Sequence, residues 1–444
     1  MHGNSENTYT KRQRIAEAAK RNREMAFTSL NQLLTPELLF EAFRKTSTDA
    51  APGVDGQTAA DYDADLIPNL RSLVERAKSG TYVAPPVRRV HIPKGTGPET
   101  RPIGIPTLED KVLQRGVAMI LEPLYEPIFH PGSYGFRPGR SAHQALESLW
   151  KQSMDTGGGW MLDVDIRKFF DTLDHGCLRE LLRRRVRDGV LLRLIDKWLK
   201  AGVLEDGAVS YPDEGTPQGG VISPLLANIY LHYVLDAWIE EEVAPRLRGR
   251  VFLIRYADDF VLGFTCEADA RQVLAELPRR FAEHGLTIHP DKTRLVRFRP
   301  RPKSRDRSHS DVPDTFDFLG FTHFWGRTRK GGWAVKRKTA SNRITRTLRA
   351  VSEWCRKNRH LPVAQQHAML VRKLRGHFAY YGITGNSAAL SRVLHFVTRL
   401  WKKWLGRRNR ERRWTWARHR QMLEHYPLPP PVPVHSVLRH VANP

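Results

Sequence analysis

Two clusters of carboxylates sit beside apolar runs in this 444-residue sequence. One is Leu162-Asp163-Val164-Asp165-Ile166; the other is Ile254-Arg255-Tyr256-Ala257-Asp258-Asp259-Phe260. Carboxylates at the ends of buried strands are costly unless something neutralises them. A divalent cation does so. Mg²⁺ takes oxygen ligands, usually one or two carboxylates together with substrate phosphates. Two such ions about 3.5–4 Å apart stabilise the attacking and leaving oxygens of an in-line phosphoryl transfer. Strand alternation sets Asp163 and Asp165 on one face and Val164 on the other. Acid pairs are also ordinary turn residues. On these residues alone, a metal-dependent phosphoryl-transfer site and two solvated hairpin turns stand level.

The elements that must carry these acids follow from the residue pattern. Trp160–Asp165 reads as a short strand. Val251–Tyr256 and Phe260–Phe264 read as a hairpin with Ala257-Asp258-Asp259 at its turn. Ahead of them, 10–45 is helical, with Pro36 opening a second helix, and Ala51–Gln57 is turn material. Leu66–Lys78 reads as an amphipathic helix, and Tyr82–Pro93 as a strand running into a glycine-rich hairpin loop, Gly95–Thr100. Leu108–Leu124, Cys177–Arg187, Gly220–Glu242 and Ala268–His284 read as helices, the third long and mostly apolar. Leu295–Phe298 reads as a strand and Arg301–Ser310 as a charged loop. From Thr339 the pattern is helical, broken at Pro362 and Gly382–Asn386 and ended by Pro427–Pro433. The front is therefore α+β and the rear nearly all α.

Charge separates the same two regions. The chain holds 72 Lys and Arg against 47 Asp and Glu, a net +25. Residues 1–326 are close to neutral, with 45 basic and 44 acidic, whereas residues 327–444 hold 27 basic and 3 acidic. A polyanion such as nucleic acid is the expected partner of that rear, because each neutralised phosphate releases counterions. A disordered solubilising tail is the alternative. Trp333, Trp354, Trp401, Trp404, Trp414 and Trp416 among the cations argue against it. No apolar run reaches the roughly 18 residues of a membrane span, and the first 25 residues lack a signal-like apolar core. Cys177, Cys266 and Cys355 are isolated, which argues against a zinc ribbon and a disulfide framework. The expectation is a cytoplasmic protein without a membrane partner.

Tyr256-Ala257-Asp258-Asp259 between apolar strands resembles the signature box of reverse transcriptases. Val164–His175 resembles their first acid motif, Thr216–Leu231 the motif that follows, and Gly285–Thr293 and Phe318–Phe321 the last two palm motifs, all in the family's order. His91–Gln114, Ser133–Leu146 and Ala51–Thr58 are similar to segments of the reverse transcriptases encoded by bacterial group II introns. Lys373–Asn386 resembles the maturase motif of those proteins. The resemblance implies an α+β right-hand polymerase fold, fingers and palm, followed by a basic α-helical thumb/maturase domain. Its divisions are 1–80 (N-terminal extension and start of the fingers), 81–326 (fingers and palm), 327–425 (thumb and maturase domain) and 426–444 (an extended tail with no endonuclease domain).

The resemblance also implies roles. Asp165, Asp258 and Asp259 become the catalytic acids of an RNA-directed DNA polymerase. They hold two Mg²⁺ ions, or Mn²⁺ as a substitute, with the backbone carbonyl of Ile166 completing a shell. Asp163 falls outside the family's acid position. Lys94 and Arg101 flank the hairpin loop and are placed to close on a deoxynucleoside triphosphate. Phe170 packs under its sugar and excludes a 2′-hydroxyl, with core packing beside Phe169 as the alternative. Gln218 reaches the nascent pair, Gly219 and Gly220 allow close backbone approach, and Lys292 is a second triphosphate cation. In the rear, Arg375, Gly376, Tyr380, Tyr381, Lys402, Lys403, Arg407 and Arg408 are expected to bind intron RNA; for the two tyrosines helix packing competes. His143 and His175 are expected to be structural. Expected partners are the intron RNA, an RNA template, a DNA primer or target and dNTPs. A maturase without polymerase activity and a free-standing reverse transcriptase of the retron, diversity-generating or defence kind are the alternatives.

Overall fold

The computed structural model describes residues 3–93, 100–205, 207–211, 215, 219–300, 314–408 and 414–435, with side chains from Thr10 onward. Lys94, Gln218, most of the 95–100 loop and the 301–310 loop lie outside these residues. In chain order the helices are α1 (Gly3–Arg21), α2 (Pro36–Arg44), α3 (Ala59–Asp63), α4 (Leu66–Ser79), α5 (Leu108–Tyr125), α6 (Ala142–Asp155), α7 (His175–Arg183), α8 (Gly189–Leu199), α9 (Ser223–Leu231), α10 (Glu267–Ala282), α11 (Ser341–Lys357), α12 (Val363–Tyr381), α13 (Ser387–Leu405) and α14 (Trp416–His425). The strands are β1 (Val87–Pro93), β2 (Thr100–Ile105), β3 (Gly159–Val164), β4 (Val203–Glu205), β5 (Ala208–Ser210), β6 (Val251–Tyr256), β7 (Asp259–Phe264), β8 (Arg294–Phe298), β9 (Phe316–Phe318), β10 (Phe321–Arg327) and β11 (Trp333–Thr339). No helix among the described residues is long and apolar enough to cross a membrane.

The chain divides into two compact units. One comprises Thr100–Ala145 and Trp160–Leu295 with the chain up to Ile92; the other comprises Leu146–Gly159 and the chain from Val296. In the first, α5 is buried on every side, with Val112, Leu113, Val117, Ile120, Leu121 and Leu124 all in the core. A helix apolar all round needs neighbours all round. The Thr107 side chain starts it by accepting from Asp110 N. β6 and β7 form a hairpin running from Val251↔Phe264 to Tyr256↔Asp259. β3 pairs antiparallel with β7, from Trp160↔Phe264 to Val164↔Phe260. A second sheet has the order β2-β1-β4-β5, with β1 parallel to β4.

Three expectations need correction. The long helix over Gly220–Glu242 starts only at Ser223, with Pro224 in its first turn, and passes at His232 into wider π-helical turns, His232–Asp236 and Trp238–Val243. An apolar pattern reports burial, not the width of the turn. The basic helix over Cys177–Arg187 starts two residues earlier, capped by Asp174, and ends at Arg183. Its last residues leave the helix to pair with the N-terminal segment: Phe27 N donates to Arg185 O and Arg187 N to Phe27 O, both at 2.8 Å. The basic rear is also not nearly all helix, because β11 lies within it.

In the second unit β9, β10 and β11 make an antiparallel sheet. Phe318 pairs with Phe321 across a two-residue turn, Leu319-Gly320, with φ +50° and +79°. Both positive values are what a type I′ hairpin requires. Along β11, Val335, Arg337 and Thr339 are buried and Lys336 and Lys338 exposed. Cations on the solvent face hid this alternation from a composition-based reading. Beyond it, α11–α14 break where expected, at Pro362 and at 382–386. Leu370, Leu374, Phe378, Leu390, Val393, Val397 and Trp401 form the helical core. Trp401 is fully buried and donates its Nε1–H to Gln366 Oε1 at 3.0 Å. Trp401→Ala is expected to destabilise this unit by about 3–5 kcal/mol, read as an early unfolding transition in urea.

Candidate active site

The acid turn is a two-residue hairpin loop. Tyr256 pairs with Asp259, so Ala257 and Asp258 make the turn. Ala257 takes φ +58°, a left-handed conformation that costs an L-residue about 1–2 kcal/mol. The neighbouring chain supports it. Residues 132–134 run parallel to β6: Arg255 N donates to Gly132 O and Tyr134 N to Arg255 O, both at 2.8 Å. Gly135 then passes under the turn so closely that a Cβ there would stand 2.2 Å from Ala257 N. Only glycine permits that approach.

Behind the turn lies Arg255. Its Nε and Nη2 donate to the two carboxylate oxygens of Asp236 at 2.8 and 2.6 Å, and both side chains are fully buried. Its Nη1 donates to Asn228 Oδ1 at 2.9 Å and to the carbonyl of Ala257 at 3.1 Å. Asn228 Nδ2 in turn donates to Gly135 O at 2.8 Å. The sequence pattern singles out neither Asp236 nor Asn228 as a partner of Arg255. The signal was present: an arginine inside an apolar strand must find a carboxylate, and Asp236 is the acid inside the apolar stretch Val234–Ile239.

Asp165 lies one residue past the last β3–β7 pair, Val164↔Phe260, so the register carries it beside Asp259. Residues 287–289 clamp it: Arg167 N donates to Thr287 O and His289 N to Asp165 O, both at 2.8 Å. In this antiparallel pattern Ile166, bridged to Ile288, keeps its own carbonyl out of the ladder. Lys292 Nζ stands 3.2 Å from Asp165 Oδ2, and Arg294 Nη2 stands 3.2 Å from Asp163 Oδ2. Asp258 is half-buried and Asp259 exposed. Burial pushes the Asp258 carboxyl above the ordinary range; the charge of Asp165 adds to this, while its backbone hydrogen bond, Arg101 and Arg255 oppose it. Asp165, Asp258, Arg101 and Lys292 thus share one electrostatic site.

Among the described residues no three His, Cys, Asp or Glu side chains converge closely enough to hold an ion unaided. Two neighbouring carboxylates and the Ile166 carbonyl instead fit a hard cation that fills its shell with water and substrate phosphate. Phe170 is half-buried on a 3₁₀ turn, edge-on to Phe169 at 5.3 Å. Gly219 takes φ +119°, and a Cβ there would lie 2.3 Å from Gly104 O on β2. His175 has the expected structural role, hydrogen-bonding the Gly215 carbonyl through Nε2.

The rear candidates fall in the second unit. Arg375 and Gly376 are exposed on α12. Tyr380 donates to Leu319 O at 2.9 Å, and Tyr381 packs on Phe321 and His377 with ring centroids at 5.2 and 4.6 Å. Both rings make packing contacts. Lys402 lies 4.8 Å over the Trp416 ring; Lys403 and Arg407 lie 5.4 and 4.9 Å from the Trp404 ring centre. Arg408 donates to His360 O at 3.0 Å.

This arrangement gathers carboxylates and cations at adjoining strand ends. The family "Reverse transcriptase (RNA-dependent DNA polymerase)" matches residues 92–323. The chain belongs to the reverse transcriptase family, and its activity class is RNA-directed DNA polymerisation. It is 36% identical to Protein YkfC of Escherichia coli over 339 residues, covering 69% of this chain and 85% of YkfC. It is 38% identical to the group II intron-encoded protein LtrA of Lactococcus lactis over 221 residues, half of this chain but 37% of LtrA. A putative COX1/OXI3 intron 1 protein of Saccharomyces cerevisiae is 30% identical over 308 residues, 59% of this chain and 36% of that protein.

Two outcomes follow. Gly135→Ala is expected to lower primer extension on an RNA template by about tenfold or more by displacing the turn, with an unchanged far-ultraviolet circular dichroism spectrum. For Asp258, a folded-state pKa raised above the unfolded value gives stability that is present at low pH and lost as pH rises through the folded pKa. Asp258→Asn is therefore expected to raise the thermal midpoint of the metal-free protein at pH 7 while abolishing extension.

Proposed function

We propose that this chain is a group II intron-encoded reverse transcriptase that copies intron RNA into cDNA and binds that RNA to assist splicing and mobility. The reading rests on Asp165 and Asp258 held at adjoining strand ends, with Arg101 and Lys292 beside them. The intron-encoded LtrA and the yeast intron protein support its intron assignment. In this reading residues 81–326 are fingers and palm, and 327–425 thumb and maturase domain.

Asp165, Asp258 and Asp259, together with the Ile166 carbonyl, would hold divalent metal ions such as Mg²⁺. Bound ions supply Lewis-acid activation of the primer 3′-hydroxyl and neutralise charge on the α-phosphate. Arg101 offers planar paired donors and Lys292 a compact charge to the triphosphate. Lys292 already bonds Asp165, so it is oriented toward the reacting end of the site. Lys94 and Gln218, which lie outside the described residues, complete the nucleotide contacts in this reading. Phe170 bounds the sugar pocket.

In the rear, Arg375, Lys402, Lys403, Arg407 and Arg408 grip phosphates. Gly376 has nothing within 4 Å of where a Cβ would stand. A glycine inside a helix costs about 1 kcal/mol relative to alanine, so close approach by an RNA backbone is the use we assign it.

The deciding experiment is dNTP incorporation on a primed RNA template with Mg²⁺. Asp258→Ala/Asp259→Ala should abolish incorporation and leave RNA binding intact. An inactive but folded, RNA-binding wild type would instead favour a maturase without polymerase activity. Lys292→Ala should raise the dNTP KM by about tenfold or more, as loss of a charged hydrogen bond does. Arg375→Ala, Lys403→Ala and Arg407→Ala should each weaken RNA binding and cut the slope of log affinity against log salt by roughly 0.7–0.9.

A further inference from the structure

We infer that Asp236, Arg255 and Asn228 form a positioning unit that sets where Asp258 stands, and so control metal occupancy without touching metal or substrate. The inference rests on the reading of Asp258 as a metal ligand. Arg255 is the hub. Two of its nitrogens are spent on the Asp236 carboxylate, which fixes the plane of the guanidinium. The third is then aimed at two acceptors at once, Asn228 Oδ1 and the Ala257 carbonyl. That carbonyl belongs to the peptide leading directly into Asp258. Asn228 extends the unit to the Gly135 carbonyl, so the strap beneath the turn and the turn itself hang on one side chain.

Three features mark this as more than core polarity. The pair is fully buried, where an apolar pair of similar volume would often be equally stable. The bonds converge on a residue in a strained conformation, Ala257 at φ +58°. Strain of this kind persists only when surrounding bonds over-determine it. The helix carrying Asp236 departs from α-geometry over His232–Asp236, the turn that presents its carboxylate. Groups that orient metal ligands characteristically change metal affinity or activity by about 10–100-fold when lost.

The test uses the full chain and three variants beside Asp258→Ala. Asn228→Ala removes one acceptor from Arg255 and the bond to Gly135 while leaving the charge pair whole. Arg255→Met with Asp236→Leu removes both charges together, which avoids an unpaired buried ion. Metal binding is read directly as the Mg²⁺-dependent rise of the thermal midpoint, and primer extension is measured against Mg²⁺ concentration at saturating dNTP, then against dNTP at saturating Mg²⁺. Asn228→Ala and the paired variant are expected to raise the half-saturating Mg²⁺ concentration by about tenfold or more, with the dNTP KM little changed. Arg255→Lys, which keeps the charge but not the fork, should fall between wild type and the paired variant. An unchanged Mg²⁺ dependence in folded Asn228→Ala overturns the inference, whether or not the paired variant folds. Full extension by Asp258→Ala overturns the underlying assignment instead, so the two failures are distinguishable.

Discussion

The buried ion pair between Arg255 and Asp236 is the constraint around which the active unit is arranged. A guanidinium deep in a sheet must be matched by a carboxylate with paired geometry, or the strand cannot be buried at all. The match comes from a helix whose turns widen over His232–Asp236. Once made, it orders its surroundings. Arg255 also holds the Ala257 carbonyl, and through Asn228 the Gly135 strap. Breaking one partner would leave an uncompensated charge in the core, which is far costlier than never having had the pair.

Around that anchor the site gathers charges that repel when left to themselves. Asp165 arrives from β3 and Asp258 from the β6–β7 turn, strands almost a hundred residues apart in the chain and adjacent only through β7. Burial and the neighbouring carboxylate both disfavour an ionised Asp258. The backbone hydrogen bond, Arg101 and Arg255 offset part of this, and a hard cation would offset more. Stability is thereby spent on a site suited to metal and phosphate.

The second unit uses charge differently. Its cations lie on helix surfaces over tryptophan rings, Lys402 on Trp416, Lys403 and Arg407 on Trp404, Arg418 on Trp414. Stacked on a ring, the stem of a long side chain covers apolar surface while its head stays in water. The aromatic residues that argued against a disordered tail are therefore part of the folded scaffold, as Trp401 is of its core. Tyr380 and Tyr381 belong to the same scaffold, fastening α12 to the β9–β10 turn.

By itself the sequence determined the acid motifs and their order, the hairpin that carries Asp258, most helices, and the split between a neutral front and a basic rear. These are local or compositional properties, set by period-two or helical spacing and by turn residues within a few positions of one another. Only the tertiary structure decided that Asp236 and Asn228 serve Arg255, that Gly135 passes beneath Ala257, and that Lys292 meets Asp165. Those partners lie far apart in sequence, and no local pattern encodes which buried charge finds which. β11 escaped notice for a related reason: its solvent face is lysine, and only its pairing with β10 reveals the buried alternate residues as a strand. The π-helical turns were invisible because hydrophobic spacing records which residues are buried, whereas the width of a turn is settled by the partner that a side chain such as Asp236 must reach.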